Sequence, residues 1–81
     1  MMEKSKAIVL VLNELDSALE KFPTFNSSHE GYAVILEEMD ELWDEIKYNK
    51  NPQSIIKQKK EAMQVGAMAI RFLMDCCKEH L

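Results

Sequence analysis

"SSHEGYAVILEEMDELWDEIKY", Ser27 to Tyr48, carries a start signal, a helical period and a charge anomaly in one segment. Ser27 opens a capping box: its hydroxyl can accept the amide of Glu30, three residues on, while the Glu30 carboxylate reaches back. On a wheel of about 100° per residue, Tyr32, Ile35, Leu36, Met39, Leu42, Trp43 and Ile46 then fill one sector about 120° wide. The pattern predicts an amphipathic helix over 28–48 with that sector turned to the core. Between His29 and Lys47 the same segment holds seven carboxylates in nineteen residues. Glu38, Glu41 and Glu45 form a stripe at the edge of the apolar sector, and Glu37, Asp40 and Asp44 lie further round toward solvent. Like charges three or four residues apart repel, and no lysine or arginine offsets them before Lys47. Acids in the middle and end of a helix gain nothing from its dipole. The stripe therefore suggests a cation supplied from elsewhere, and carboxylate oxygens suit Mg²⁺ or Mn²⁺. A solvated acidic face is the alternative reading of the same run.

Two further helices flank this one. A first, over about 3–22, repeats Ile8, Val11, Leu12, Leu15, Leu19 and Phe22 at the spacing that buries one face, and Pro23 stops it. A third, over about 52–77, has Asn51 as the expected N-cap and Pro52 at N1, and is apolar around most of its circumference after Glu61. The connections are only a few residues long, which predicts antiparallel neighbours. With 81 residues, 47% hydrophobic, two glycines and two prolines, the chain reads as one all-α domain over 1–81. The expected architecture is a three-helix up-down unit. Its third helix needs more cover than the other two can supply, so oligomerisation is expected to complete a bundle as a homo-dimer or homo-tetramer.

A net charge of −4 and a pI near 5.1 argue against a nucleic-acid polymer as partner but permit a nucleotide carrying its own Mg²⁺. Cys76 and Cys77 are adjacent on a helix, where vicinal pairing is strained, and read as small buried hydrophobes. No signal-peptide pattern and no run of about 18 apolar residues occurs, so no membrane is expected and the location is expected to be cytoplasmic.

On the third helix Lys57, Glu61, Gln64, Arg71 and Asp75 gather in one polar stripe, with Lys60 beside it. Polar groups confined to one line on a mostly apolar helix require partners there. Packed antiparallel on the second helix, Glu61 and Gln64 could approach Glu38 and Glu41, while Lys57 and Lys60 could meet phosphate oxygens. Arg71 and Asp75, four apart, are expected to pair with each other. His29 lies about 14 Å along the helix axis from Glu38 and belongs to the surface or the helix start. Trp43, Tyr32 and Phe72 read as core.

Glu37-Glu38-Met39-Asp40-Glu41 spells EExxE, and with an acid on the following helix the chain resembles the MazG-type all-α nucleoside triphosphate pyrophosphohydrolases, particularly their short phage-like members. The resemblance spans about 25–75. It implies that the acids, here Glu37, Glu38, Glu41 and Glu61, are the catalytic residues of a Mg²⁺- (or Mn²⁺-) dependent cleavage of a nucleoside triphosphate to a monophosphate and pyrophosphate. Glu38, Glu41, Glu61 and Gln64 would be the metal ligands, Glu37 or Glu45 would orient water, and Lys57 and Lys60 would contact substrate. The family's second motif is ExxD; here it reads Glu61-Ala62-Met63-Gln64, with an amide in place of the aspartate. Gln can lend a neutral oxygen but no charge. The competing reading is a catalytically inactive helical oligomer that serves as a metal-binding or protein-interaction module.

Overall fold

The computed structural model describes residues 1–77, so the last four positions of the expected domain lie outside the described residues. Among those described there are three helices and no strand: α1, Lys4–Lys21; α2, Ser28–Tyr48; and α3, Ser54–Cys76. Phe22, ahead of Pro23, is driven into extended backbone (φ −126°, ψ 142°) and ends α1. Ser27 caps α2 as its spacing predicts, with Oγ accepting from Glu30 N at 3.1 Å. The Glu30 carboxylate reaches one residue further back than a standard capping box and accepts from the amide and side chain of Asn26. The start of α3 differs from expectation. Asn51 and Pro52 form a tight turn ahead of the helix, closed by Ser54 N donating to Asn51 O, and the Asn51 side chain accepts from Gln53 N.

Helix α3 is the centre of the unit: α1 and α2 each pack on it and not on each other. Helix α2 runs antiparallel to α3, with Gly31 at Phe72 and Glu38 at Gln64, whereas α1 runs parallel to it, with Val11 at Gly66 and Ala18 at Arg71. Glycine sits at both crossings, with the tighter approach at Gly31. A Cβ on Gly31 would sit 2.7 Å from Phe72 Cδ2, and one on Gly66 would sit 3.2 Å from Val11 Cγ2.

Arg71 ties the elements together and is buried to 3% exposure. Its Nη1 donates to Ala18 O at 3.0 Å and its Nη2 to Phe22 O at 2.8 Å, so the guanidinium adds a second donor to Ala18 O, which also accepts from Phe22 N, and satisfies the Phe22 carbonyl just past the end of α1. Its Nε donates to Asp75 Oδ2 at 3.1 Å, the pair expected from the sequence, and the same oxygen accepts from Phe25 N. The guanidinium carbon also lies 5.6 Å from the centroid of the Phe25 ring.

The faces that α1 and α2 turn to α3 correct the sequence reading in part: Val11 and Leu15 of α1 and Ile35 and Leu42 of α2 are half-buried or buried as expected, but most of the large apolar residues are not. Tyr32, Leu36, Met39, Trp43 and Ile46 of α2 are exposed, and so are Ile8, Leu12, Leu19 and Phe22 of α1. The α2 surface against α3 is instead the line of Gly31, Val34, Glu38, Leu42 and Glu45. It lies about 100° round the helix from the large apolar residues. Small residues allow close backbone approach, and the close approach carries the Glu38 line inward. Among the described residues only Leu15, Ala18 and Ala67 are buried hydrophobic side chains. The accessible surface is correspondingly large, 6371 Å², against about 5,000 Å² for a compact monomer of this mass. No described helix is long and apolar enough to cross a membrane.

Candidate metal centre

Glu38 and Glu41 lie one turn apart on α2, and Glu61 faces them from α3. One oxygen from each of the three lies within 4.8 Å of the others, the only group of three potential metal ligands among the described residues. Oxygens bound at about 2.1 Å to one octahedral cation lie about 3.0 Å apart when adjacent and about 4.2 Å when opposite, so the three need draw in by at most about 1.8 Å to share a Mg²⁺ or Mn²⁺. Three hard anionic oxygens fit such an ion.

Gln64 completes the group. With its amide nitrogen turned to the carboxylates, it donates to Glu38 Oε2 at 2.6 Å and to Glu61 Oε2 at 3.1 Å. The opposite orientation would set carbonyl oxygen against carboxylate oxygen. Gln64 thus serves as a neutral donor between two acids where no cation is bound, and a half-turn of its amide would present the carbonyl as a fourth ligand.

The electrostatics record the crowding. The Glu38 carboxyl is pushed up to about 7, first by burial, then by the neighbouring charges of Glu41 and Glu61. Glu61 is raised as well, again by burial first and then by Glu41, with Lys60 opposing the shift. No lysine or arginine pairs with these acids: the one ion pair among the described residues is Arg71 with Asp75.

The other expected site residues are dispersed. Glu37 is exposed and contributes no oxygen to the cluster. Glu45 is half-buried and accepts from Asn49 Nδ2 at 2.6 Å. Lys57 and Lys60 are exposed, and Lys60 is near enough to Glu61 to affect its protonation. His29 is exposed at the start of α2, and Trp43 and Tyr32 are outside the core to which the sequence assigns them; Phe72 is half-buried against Gly31.

A cleft of about 370 Å³ opens beside the cluster, between α1 and α2 over a floor of α3. Glu38 and Gln64 belong to both cleft and cluster, and Glu14, Phe22, Phe25 and Met68 form much of the remaining wall. Sequence reasoning left Glu14 unassigned. Its position four residues before Ala18 and three after Val11, on the face of α1 turned to α3, is the signal that places it. A larger groove of about 760 Å³ between the N-terminal halves of α1 and α3 is almost wholly apolar and holds none of these acids. The chain matches no protein-family model, and no curated protein and no solved structure is similar to it.

Proposed function

We propose that the chain is a divalent-cation-dependent nucleoside triphosphate pyrophosphohydrolase of the MazG-like kind, active as a homo-oligomer. The observation that carries this reading is the convergence of Glu38, Glu41 and Glu61 from two helices without a basic partner. Folding has brought three acids together at an electrostatic cost, which a bound cation would offset. A Mg²⁺ or Mn²⁺ held there would neutralise phosphate charge and acidify water. Glu38, Glu41 and Glu61 would hold it, with the Gln64 carbonyl as a neutral fourth donor. Glu45 is engaged by Asn49, which leaves Glu37 as the neighbouring acid free to orient water. In the reaction, water oxygen bonds to phosphorus as the bridge between α and β phosphates breaks, and the products are a monophosphate and pyrophosphate. The nucleoside would occupy the cleft bounded by Phe22, Phe25 and Met68, and Lys60, whose charge reaches Glu61, would meet phosphate oxygens.

Gln64 favours a second reading, a non-catalytic oligomer that binds a metal or a partner protein, because its amide donor already satisfies two of the acids. Pyrophosphate release from a panel of canonical and modified nucleoside triphosphates, with Mg²⁺ and with Mn²⁺, separates the two. The hydrolase reading expects release from at least one member and loss of at least about 100-fold in Glu61→Gln, of the size seen when charge-stabilising groups are removed. No release from any nucleotide with either ion would leave the non-catalytic reading.

A further inference from the structure

We propose that the exposed stripe Tyr32, Leu36, Met39, Trp43 and Ile46 on α2 is the surface through which two copies of this chain associate. The proposal rests on the reading above that the chain self-associates, and adds which face does it. The five residues are spaced four, three, four and three apart, the 3.5-residue period that keeps one helix in register with another along its length. Among the described residues no other exposed apolar line is so continuous. On α1, Ile8 and Leu12 are separated from Leu19 by the buried Leu15, and on α3 the exposed large residues lie at the two ends, Ile55 and Ile56 against Leu73 and Met74.

Area supports a second copy as the occupant. At exposures of 64, 44, 48, 53 and 42%, the five side chains leave on the order of 600 Å² accessible, most of the ~800 Å² per partner of a standard interface. The excess of the whole surface over that of a compact monomer is of the same order.

Charge placement makes the stripe compatible with itself. Glu37, Glu41 and Asp44 lie more than about 100° round α2 from its centre, so two stripes can meet without bringing these acids together. Asp40 is the one acid at its edge, on the same side as Ala33 and Lys47. With a second copy antiparallel and its Met39 opposite Leu36, Tyr32 falls opposite the second copy's Trp43, and Asp40 beside its Ala33. The aromatic pairs then occupy both ends of the contact, and no two acids face each other. The Glu38 cluster, on the line turned to α3, stays clear of the interface.

The test is light scattering on purified full-length chain at micromolar concentration, with Met39 as the probe because it is central to the stripe and 48% exposed within one chain. Wild type should scatter as a multiple of the 9.4 kDa chain. Met39→Glu and Met39→Lys should each raise the dissociation constant at least about tenfold, or unfold where the isolated chain cannot stand alone. Mixing the two should restore the wild-type mass, and Leu73→Lys, on α3, should leave it unchanged. If both Met39 variants keep the wild-type mass, or if the mixture fails to recover it, the stripe is not the interface, although self-association stands. A monomeric wild type overturns both and assigns the stripe to a partner of different sequence. Melting-temperature gain with Mg²⁺ on the same proteins reports on the Glu38 cluster separately.

Discussion

Glu38 shows how one side chain can be legible as chemistry and illegible as environment. Its place in EExxE marks it as a candidate ligand, yet only the packing of α2 on α3 explains why its carboxyl is pushed up to about 7. The unfolded chain releases that proton near the ordinary carboxyl value of 4.5, whereas the folded chain keeps it until about 7. Glu38 therefore contributes stability that is fully present below about pH 4.5 and lost as pH rises through 7. Without divalent cation, the melting temperature of wild type should fall between pH 5 and pH 7.5 by more than that of Glu38→Gln, in which the ionisable group is gone. Mg²⁺ should shrink the fall, because it favours the ionised carboxylate. Equal slopes for the two proteins would show that Glu38 is not held above its ordinary range. Arg71 taught the other limit of residue-level reading: its pairing with Asp75 follows from i,i+4 spacing, but its bonds to Ala18 and Phe22 span 53 and 49 residues and leave no local signature.

At the scale of elements, starts and stops were readable because they are local chemistry. Ser27 caps α2 and Pro23 closes α1 through groups within three residues of each boundary. The start of α3 was missed by two residues because Asn51 can cap a turn as readily as a helix. Which face of α2 goes inward was not readable: the wheel finds the most apolar sector, while the packing uses the side that lets backbones approach. Gly31 is the hinge of that difference, and it yields a test. In an open helix, Gly31→Ala would gain about 1 kcal/mol from helix propensity. Here the new methyl would meet Phe72 at 2.7 Å and Phe25 at 3.1 Å, so both rings must move. Overpacking of this kind costs about 1–3 kcal/mol. The expected outcome in urea denaturation is a net loss of roughly 1 kcal/mol with an unchanged m-value. A gain of similar size would mean that α2 and α3 do not approach this closely.

The whole molecule is an open three-helix unit whose internal interfaces combine small and polar residues with a few large apolar ones such as Leu15 and Phe72, and which leaves many of its large apolar residues exposed. The sequence placed uncovered apolar surface on α3, whereas much of it lies on α2, since a wheel counts apolar residues without knowing which helix takes the middle place. It placed Glu38, Glu41, Glu61 and Gln64 together correctly because antiparallel pairing of α2 with α3 fixes their level along both helices. Whether this group is a divalent-cation site is decided by thermal unfolding of wild type and Gln64→Asp with and without Mg²⁺. Mg²⁺ is expected to stabilise wild type by RT ln(1 + [L]/Kd), roughly 2.7 kcal/mol at 100 Kd. Without the ion, Gln64→Asp should melt lower than wild type, since a donor to Glu38 and Glu61 becomes a fourth acid. With Mg²⁺ the variant should recover and gain more than wild type, because the added carboxylate is an anionic ligand. A variant that melts lower and is not restored by Mg²⁺, beside a wild type that Mg²⁺ leaves unchanged, would contradict the account.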